Sequence, residues 1–201
     1  MSLENSGKNN GVIVGENHGE ITIVHTTKQS KFSSLIPLVV QELAELVNIP
    51  DEEMERIYKI DSIELVSYNI PQKIKYNRVI EYRDFINDYS VYGSICDEAF
   101  NIIDNNHPGI KRKILNSISM LYKKYKGQLL RKNYKEGINE LDIIKDNSDE
   151  IIDQVKEELK SRIFEDVNGD GIVIEDIEES LIRILCYAFV ECKILEKPVG
   201  E

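Results

Sequence analysis

The sequence predicts a mainly α-helical protein, a multi-helix bundle around a buried C-terminal helix, with a short β-hairpin near the N-terminus. One observation is the stretch LIRILCYAFVECKIL, residues 181–195, which has only three charged residues and apolar residues at spacings of three and four. A helix that is apolar on nearly every side must be surrounded by other helices. Leu185 and Phe189, in its middle, are therefore predicted core residues. The second observation is that most of the remaining chain has apolar residues at a helical period.

The N-terminal region, residues 1–32, is predicted to contain a polar tail, a short β segment and a linker. In GVIVGENHGEITIV, residues 11–24, apolar residues alternate with others and glycines interrupt them, as in two short strands. A lone hairpin is marginally stable in water, so it must pack on the helical body or on the same segment of another chain. A homo-oligomer assembled through this segment is one of the two predicted outcomes, with its contacts made by Val12, Val14, Ile21 and Ile23.

The remainder, residues 33–201, is predicted to be one helical domain. A first helix runs from Ser33 to Val47 and is followed by a short acidic helix over 51–58 and an extended connection over 59–76. Two helices then share residues 77–104, with a break at Gly93.

A basic helix follows Pro108, and Gly127 is predicted to close or kink it. Beyond it, Asn147 and Glu150 have the spacing of a capping box ahead of the next apolar stripe. About six helices and two short strands result, without a repeat of fixed period.

Cysteine usage and the first residues indicate the compartment. Three cysteines, an odd number, include two in the apolar C-terminal stretch: Cys96, Cys186 and Cys192. Buried free thiols are typical of a reducing environment. The N-terminus lacks a positive cluster followed by an apolar run, so no signal peptide is expected. The apolar stretch is also shorter than the ~20 residues that cross a bilayer. The sequence therefore predicts a cytoplasmic protein without membrane contact.

The charge distribution predicts a partner-binding face. Net charge is −11, but residues 105–135 hold nine Lys or Arg and no Asp or Glu, which leaves a balance of −20 elsewhere. A basic helix face can contact nucleic-acid phosphates or an acidic protein surface. Because the remaining residues repel a polyanion, a protein partner is favoured and nucleic acid is possible only indirectly; an ordinary solvated face is the plain alternative. The predicted contact residues are Lys111, Arg112, Lys113, Lys123, Lys124 and Lys126.

The motif DVNGDG, residues 166–171, resembles the start of a calcium-binding EF-hand loop. Asp166, Asn168 and Asp170 would supply the oxygen ligands. The twelfth position, where the loop needs a bidentate carboxylate, is Ile177. A polar turn between helices is therefore the favoured interpretation, and no metal or cofactor is predicted. A calcium-responsive regulatory domain that uses residues 166–176 is the alternative function.

No motif for catalysis is found. The sequence has no G-x-S-x-G, no G-x-x-x-x-G-K and no H-E-x-x-H. Paired carboxylates are common, but a chain with thirty-six acidic residues contains such pairs by chance. The sequence therefore predicts a protein that is not an enzyme.

Two stretches resemble the C-terminal domain of effector proteins in bacterial ABC three-component conflict systems: KIKYNRVIEYRDFINDYSVYGSICDEAFNIID and, after a basic helix, ILCYAFVECKILEKP. The matching residues are Lys73, Ile74, Asn77, Tyr82, Ile86, Tyr89, Tyr92, Ala188, Phe189, Cys192, Lys193, Ile194, Leu195 and Pro198. The glycine-punctuated segment GVIVGENHGEITI is similar to segments near the start of several bacterial defence proteins.

These presumed anti-phage systems join an SMC-like ABC ATPase, a small middle component and an effector. The resemblance implies a coupling domain that docks on the ATPase or the middle component. Effectors of the family usually carry a toxic domain ahead of this module. Only about 30 residues precede the first predicted helix, so we expect the coupling role without an effector activity.

Overall fold

A computed structural model describes residues 34–47, 70–133, 137–166 and 171–198, with the backbone alone for residues 90–92. Within these ranges the chain forms seven helices and no strand, so the prediction of a mainly helical protein is confirmed. The predicted hairpin with Val12, Val14, Ile21 and Ile23 lies outside the described residues, as does the predicted acidic helix over 51–58. The helices are α1 (Ile36–Val47), α2 (Ile70–Asn77), α3 (Arg83–Asn106), α4 (Ile110–Asn133), α5 (Glu140–Asp146), α6 (Ser148–Glu165) and α7 (Ile174–Val190).

Helix α7 lies at the centre of the described helices and packs against α1, α3 and α6. Nine of its residues are buried. Leu185 and Phe189 have exposures of 1% and 0%, so their prediction as core residues is confirmed. Among the described helices, none is both long enough and apolar enough to cross a membrane.

The end of α7 differs from the prediction, which extended the helix to Leu195. The helix ends at Val190, and Cys192 has a positive φ of 54°. The amide of Cys192 donates to the carbonyl of Phe189 at 3.1 Å, and that of Lys193 donates to Ala188 at 2.8 Å. These two bonds form a Schellman motif, which usually has glycine at the left-handed position. The turn redirects the chain and allows Ile194 and Leu195 to be buried after the helix has ended.

The prediction of an extended connection over 59–76 is wrong from Ile70 onward, where α2 begins. Pro71 is in the first turn of α2, where its missing N–H removes no helical hydrogen bond. Helix α2 also ends in a Schellman motif without glycine. Arg78 has a φ of 55°, and the amide of Val79 donates to Ile74 at 3.1 Å.

Helix α3 is not broken at Gly93, and helix α4 does not end at Gly127. Helix α3 is continuous through Gly93, where the Tyr89 ring lies so close that an added Cβ would be 3.3 Å from it. The Tyr89 hydroxyl donates to the Gly93 carbonyl at 3.1 Å, which supports the helix at this point. Helix α4 passes through Gly127 to Asn133. An exposed glycine within a helix costs only about 1 kcal/mol relative to alanine, so neighbouring residues can maintain the helix.

One local prediction fails at the start of α6. The capping box does not form, because the Asn147 amide donates to the Ile143 carbonyl at 2.7 Å instead of capping α6. Asn147 is the C-cap residue of the short helix α5, which was absent from the prediction and ends at Asp146.

Candidate protein-interaction face

Helix α4 has a buried side and a solvent side that follow from its helical period. Isoleucines at positions 110, 114 and 118 lie on the buried side with Leu115, Leu121, Tyr122 and Leu129. The solvent side has ten exposed residues, six of which are cationic and none of which is acidic. The exposed residues are Arg112, Lys113, Asn116, Met120, Lys123, Lys124, Gly127, Gln128, Arg131 and Lys132.

Five of these cations form no ion pair with any residue in the described parts of the chain. We define the α4 basic face as these five, which span ~30 Å at 1.5 Å per helical residue. Unpaired, exposed cations of one sign create a positive potential that attracts an acidic surface. The members of the α4 basic face are Arg112, Lys113, Lys123, Arg131 and Lys132.

An apolar residue lies within the α4 basic face. Met120 is 70% exposed, and spacings of four and three residues separate it from Asn116 and Lys123 along one stripe of the helix. A flexible thioether side chain adapts to the shape of an opposing surface. The face therefore offers charge for attraction and one adaptable apolar side chain for contact.

Three of the six predicted contact residues have intramolecular carboxylate partners instead. Lys111 Nζ lies 2.8 Å from Asp97 Oδ1 and 5.1 Å from the centroid of the Tyr187 ring. The Tyr187 hydroxyl donates to the same carboxylate oxygen at 2.5 Å. Lys111 therefore connects α4 to α3 and α7 at the margin of the face.

Lys124 and Lys126 are held in a similar way. Lys124 Nζ lies 3.4 Å from Glu158 Oε2, whose pKa is lowered mainly by a hydrogen bond from Tyr125. Lys126 forms an ion pair with Glu196, which also accepts a hydrogen bond from Tyr122. Partial burial opposes ionisation of Glu196, but the bonds from Lys126 and Tyr122 prevail and lower its pKa.

The predicted site is therefore brought together only in part. Arg112, Lys113 and Lys123 belong to the α4 basic face, whereas the other three predicted lysines stabilise the fold around it. Arg131 and Lys132 belong to the face but were not among the predicted contacts. The alternation of polar and apolar residues at a helical period continues beyond Gly127, and this pattern indicates that Arg131 and Lys132 lie on the same helix.

A second polar cluster, which we call the C-terminal junction, lies where α2 meets the segment after α7. It consists of the buried residues Lys73, Asn77 and Ser148 and the half-buried Glu196. Lys73 is 3% exposed, and its Nζ donates to the carbonyls of Phe189 and Ile194. The same nitrogen lies 4.1 Å from the centroid of the Phe189 ring. Lys73 therefore caps the C-terminus of α7, where cations are favourable.

Asn77 completes the C-terminal junction through backbone pairing. Its side-chain amide donates to the Glu196 carbonyl at 2.8 Å, and its Oδ1 accepts from the Glu196 amide at 2.9 Å. The Asn77 carbonyl accepts from the Ser148 hydroxyl at 2.7 Å. Asn77 thus joins α2, α6 and the C-terminal segment, and four residues on which the family resemblance rests meet at this place: Lys73, Asn77, Phe189 and Ile194.

The chemistry of the C-terminal junction is structural. Burial lowers the pKa of Lys73 to about 8, a value that in an open cleft would suit a base or nucleophile. Here two backbone carbonyls and an aromatic ring surround the amine, which solvent hardly reaches. Lys73 therefore holds the end of α7 rather than facing a substrate.

The cysteines are free, and two are deeply buried. Burial raises the pKa of Cys96 and Cys186 to about 12, so both thiols are protonated at neutral pH. Because the thiolate is the reactive form, neither is suited to nucleophilic chemistry. Cys192 is half-buried and follows the end of α7, although the prediction placed it within the helix.

The calcium candidates are only partly described. Asp166 is buried and accepts a hydrogen bond from the Ser34 amide at the start of α1. Asn168 and Asp170 lie outside the described residues. Ile177, in the position that an EF-hand gives to a bidentate carboxylate, is 1% exposed in the core. Within the described ranges, no group of three potential metal ligands is found.

Comparison with known proteins gives no assignment for this chain. No protein-family model, curated protein or solved structure matches it. A function is therefore inferred from the charge and geometry of the described residues and from the sequence resemblance.

Proposed function

We propose that this protein is a non-enzymatic coupling module that docks through the α4 basic face on an acidic surface of a partner protein. The observation that carries the proposal is that the five cations of this face have no carboxylate partner among the described residues, although the chain has an excess of acidic residues. Many carboxylates are available, and three neighbouring lysines do use them. A cationic face that is left unpaired in such a chain favours an external acidic partner.

The charge balance favours a protein partner over nucleic acid. The residues outside 105–135 have a balance of −20, which repels a polyanion that extends beyond α4. A protein surface can place its acidic residues opposite α4 alone. Such complementarity accelerates association and depends on salt, because the Debye length is ~8 Å at physiological ionic strength.

The resemblance supports a specific class of partner. We propose an SMC-like ABC ATPase or its accessory subunit, in a bacterial defence assembly of the ABC three-component kind in the cytoplasm. Self-association through the N-terminal strands, with Val12, Val14, Ile21 and Ile23, belongs to the same proposal. Deletion of residues 1–26 followed by light scattering tests it: an oligomer that becomes a monomer supports the assembly role, and an unchanged mass contradicts it.

The docking proposal is tested by co-expressing the protein with the products of the genes next to its own and measuring complex formation by size-exclusion chromatography with light scattering. The triple variant Arg112→Glu, Lys123→Glu, Arg131→Glu should abolish the complex, and raised salt should weaken the wild-type complex. Binding of duplex DNA of random sequence, measured by fluorescence anisotropy, tests nucleic acid as the alternative partner.

A matched pair of single variants controls for net charge. Lys123→Glu changes an exposed lysine on the α4 basic face, and Lys197→Glu changes an exposed lysine after α7. We expect weaker docking for the first variant alone. If both single variants and the triple variant form as much complex as the wild type does, the face is ordinary solvated surface.

A further inference from the structure

A second surface lies between the end of α2 and the start of α3 and shares no residue with α4. It is a cleft of about 460 Å³, open to solvent, and its apolar part consists of Pro71, Ile74, Val79 and Ile80. Ile80 is 68% exposed, although Ile74 and Val79 beside it are buried. The cleft therefore presents an apolar floor with one large aliphatic side chain that has little cover from the described residues.

The backbone of the cleft is held in place by hydrogen bonds. The Val79 amide donates to Ile74 across the left-handed turn at Arg78. The Ile80 amide donates to Asp149 Oδ2 at 2.9 Å, which connects the cleft to the start of α6. A cleft fixed in this way needs little ordering when it binds, which reduces the entropic cost of association.

The rim of the cleft is cationic and contains Lys75, Arg78 and Arg83. Arg78 is neutralised by Asp142, 3.0 Å away, and by Asp146. The Arg83 guanidinium donates weakly to the Val79 carbonyl at 3.4 Å. Within the described ranges, neither Lys75 nor Arg83 forms an ion pair with a carboxylate, so two cations without an ion-pair partner there flank the apolar floor.

We propose that this α2–α3 cleft binds an acidic, apolar segment of a partner protein, with an aliphatic or aromatic side chain against Ile74, Val79 and Ile80 and carboxylates beside Lys75 and Arg83. Charge complementarity selects this occupant, because a neutral peptide would leave both cations unpaired and a basic one would be repelled. This binding site is additional to docking through the α4 basic face and does not depend on it.

The test uses the full chain and three synthetic peptides. The acidic probe is acetyl-Glu-Asp-Leu-Phe-Glu-Asp-amide, and its two controls replace either all acidic residues by lysine or Leu-Phe by Ala-Ala. Isoleucine methyl NMR spectra, with Ile74 and Ile80 assigned through Ile74→Val and Ile80→Val, follow the titration. We expect the acidic apolar probe alone to shift these two methyl signals.

Two double variants identify the charges that matter. Lys75→Glu with Arg83→Glu, both at exposed sites, should weaken binding of the acidic probe by about tenfold, because the variant reverses both charges that face the carboxylates of the probe. Arg112→Glu with Lys123→Glu makes the same charge change on α4 and should leave the affinity unchanged. An equal loss with both variants would indicate general attraction to a cationic surface and would overturn the proposal.

Other occupants give other results. If a second copy of the chain fills the cleft, the Ile74 and Ile80 signals will shift with protein concentration in the absence of peptide, and the proposal is wrong. If the acidic probe shifts neither signal at any concentration, the proposal is also wrong. A failure of the gene-neighbour complex together with these expected peptide shifts would contradict the docking function and leave the cleft proposal supported.

Discussion

Lysines occupy both the α4 basic face and the C-terminal junction, yet their environments are opposite. Lys123 on the face is exposed, whereas Lys73 in the junction is 3% exposed and donates to two carbonyls. In the junction, burial makes every hydrogen bond important, because an unpaired buried polar group costs ~1–3 kcal/mol. On the face, water solvates the charges, so they add little to stability and are available to a partner. The comparison shows that surroundings, and not residue type, separate a structural lysine from one that is accessible at the surface.

The largest expected difference concerns apolar side chains in the two regions. Phe189→Ala should lower the free energy of unfolding by about 3–5 kcal/mol, because it empties a fully buried site beside Lys73. Met120→Ala, at a site that is 70% exposed on α4, should change it by less than about 0.5 kcal/mol. Urea denaturation of both variants measures the contrast, and similar losses would show that Met120 is packed.

Asparagines provide the next comparison. Asn77→Ala should cost about 2–3 kcal/mol, because the Glu196 amide and carbonyl lose their partner. Asn116→Ala, on the exposed side of α4, should be neutral or slightly stabilising, since alanine is the better helix former. Thermal unfolding followed by circular dichroism measures both. A melting temperature of Asn77→Ala equal to that of the wild type would exclude a structural role for the C-terminal junction.

The pH dependence of stability distinguishes the two lysines further. Because the pKa of Lys73 is lowered to about 8 in the folded state, the unfolded state holds more protons between pH 8 and 10.5. This residue's contribution to stability is therefore largest above pH 10.5 and is lost as the pH falls through 8. Relative to Lys73→Met, the wild type should gain about 1 kcal/mol per pH unit from pH 8 to 9.5.

The paired measurement cancels the effects of the cysteines and tyrosines. Burial raises the pKa of Cys96 and Cys186, which makes wild-type stability fall with pH in an overlapping range. Both the wild type and Lys73→Met retain these two cysteines. If the difference in free energy of unfolding between wild type and Lys73→Met does not vary from pH 7.5 to 9.5, the pKa of Lys73 is not lowered in the folded state.

The smallest expected effect is that of the α4 basic face on folding. The triple variant Arg112→Glu, Lys123→Glu, Arg131→Glu should change the free energy of unfolding by less than about 1 kcal/mol, because these charges are exposed and unpaired among the described residues. Lys126→Glu should cost about 1–2 kcal/mol, since it places a carboxylate against the half-buried Glu196. A larger loss for the triple variant than for Lys126→Glu would mean that the face stabilises the fold.

Periodicity alone predicted part of the core of this protein. The apolar spacing within residues 181–195 predicted burial of Leu185 and Phe189, and the isoleucine stripe predicted the buried side of α4. These predictions succeed because burial of a helical face follows directly from the 3.6-residue period. The charge asymmetry that motivates the α4 basic face is likewise a property of the sequence.

Tertiary structure decided where the helices end and which lysines are paired. Residues with positive φ at Arg78 and Cys192 end α2 and α7 without glycine. The chain beyond each turn is held by a residue distant in sequence: Asp149 accepts from the Ile80 amide, and Lys73 donates to the Ile194 carbonyl. Lys111, Lys124 and Lys126 look like Lys113 and Lys123 in the sequence, but Asp97, Glu158 and Glu196 reach only the first three. The sequence determined which faces are apolar and which are charged. Long-range packing determined which α4 cations have a carboxylate partner among the described residues, because a carboxylate compensates a cation only when the fold brings them together.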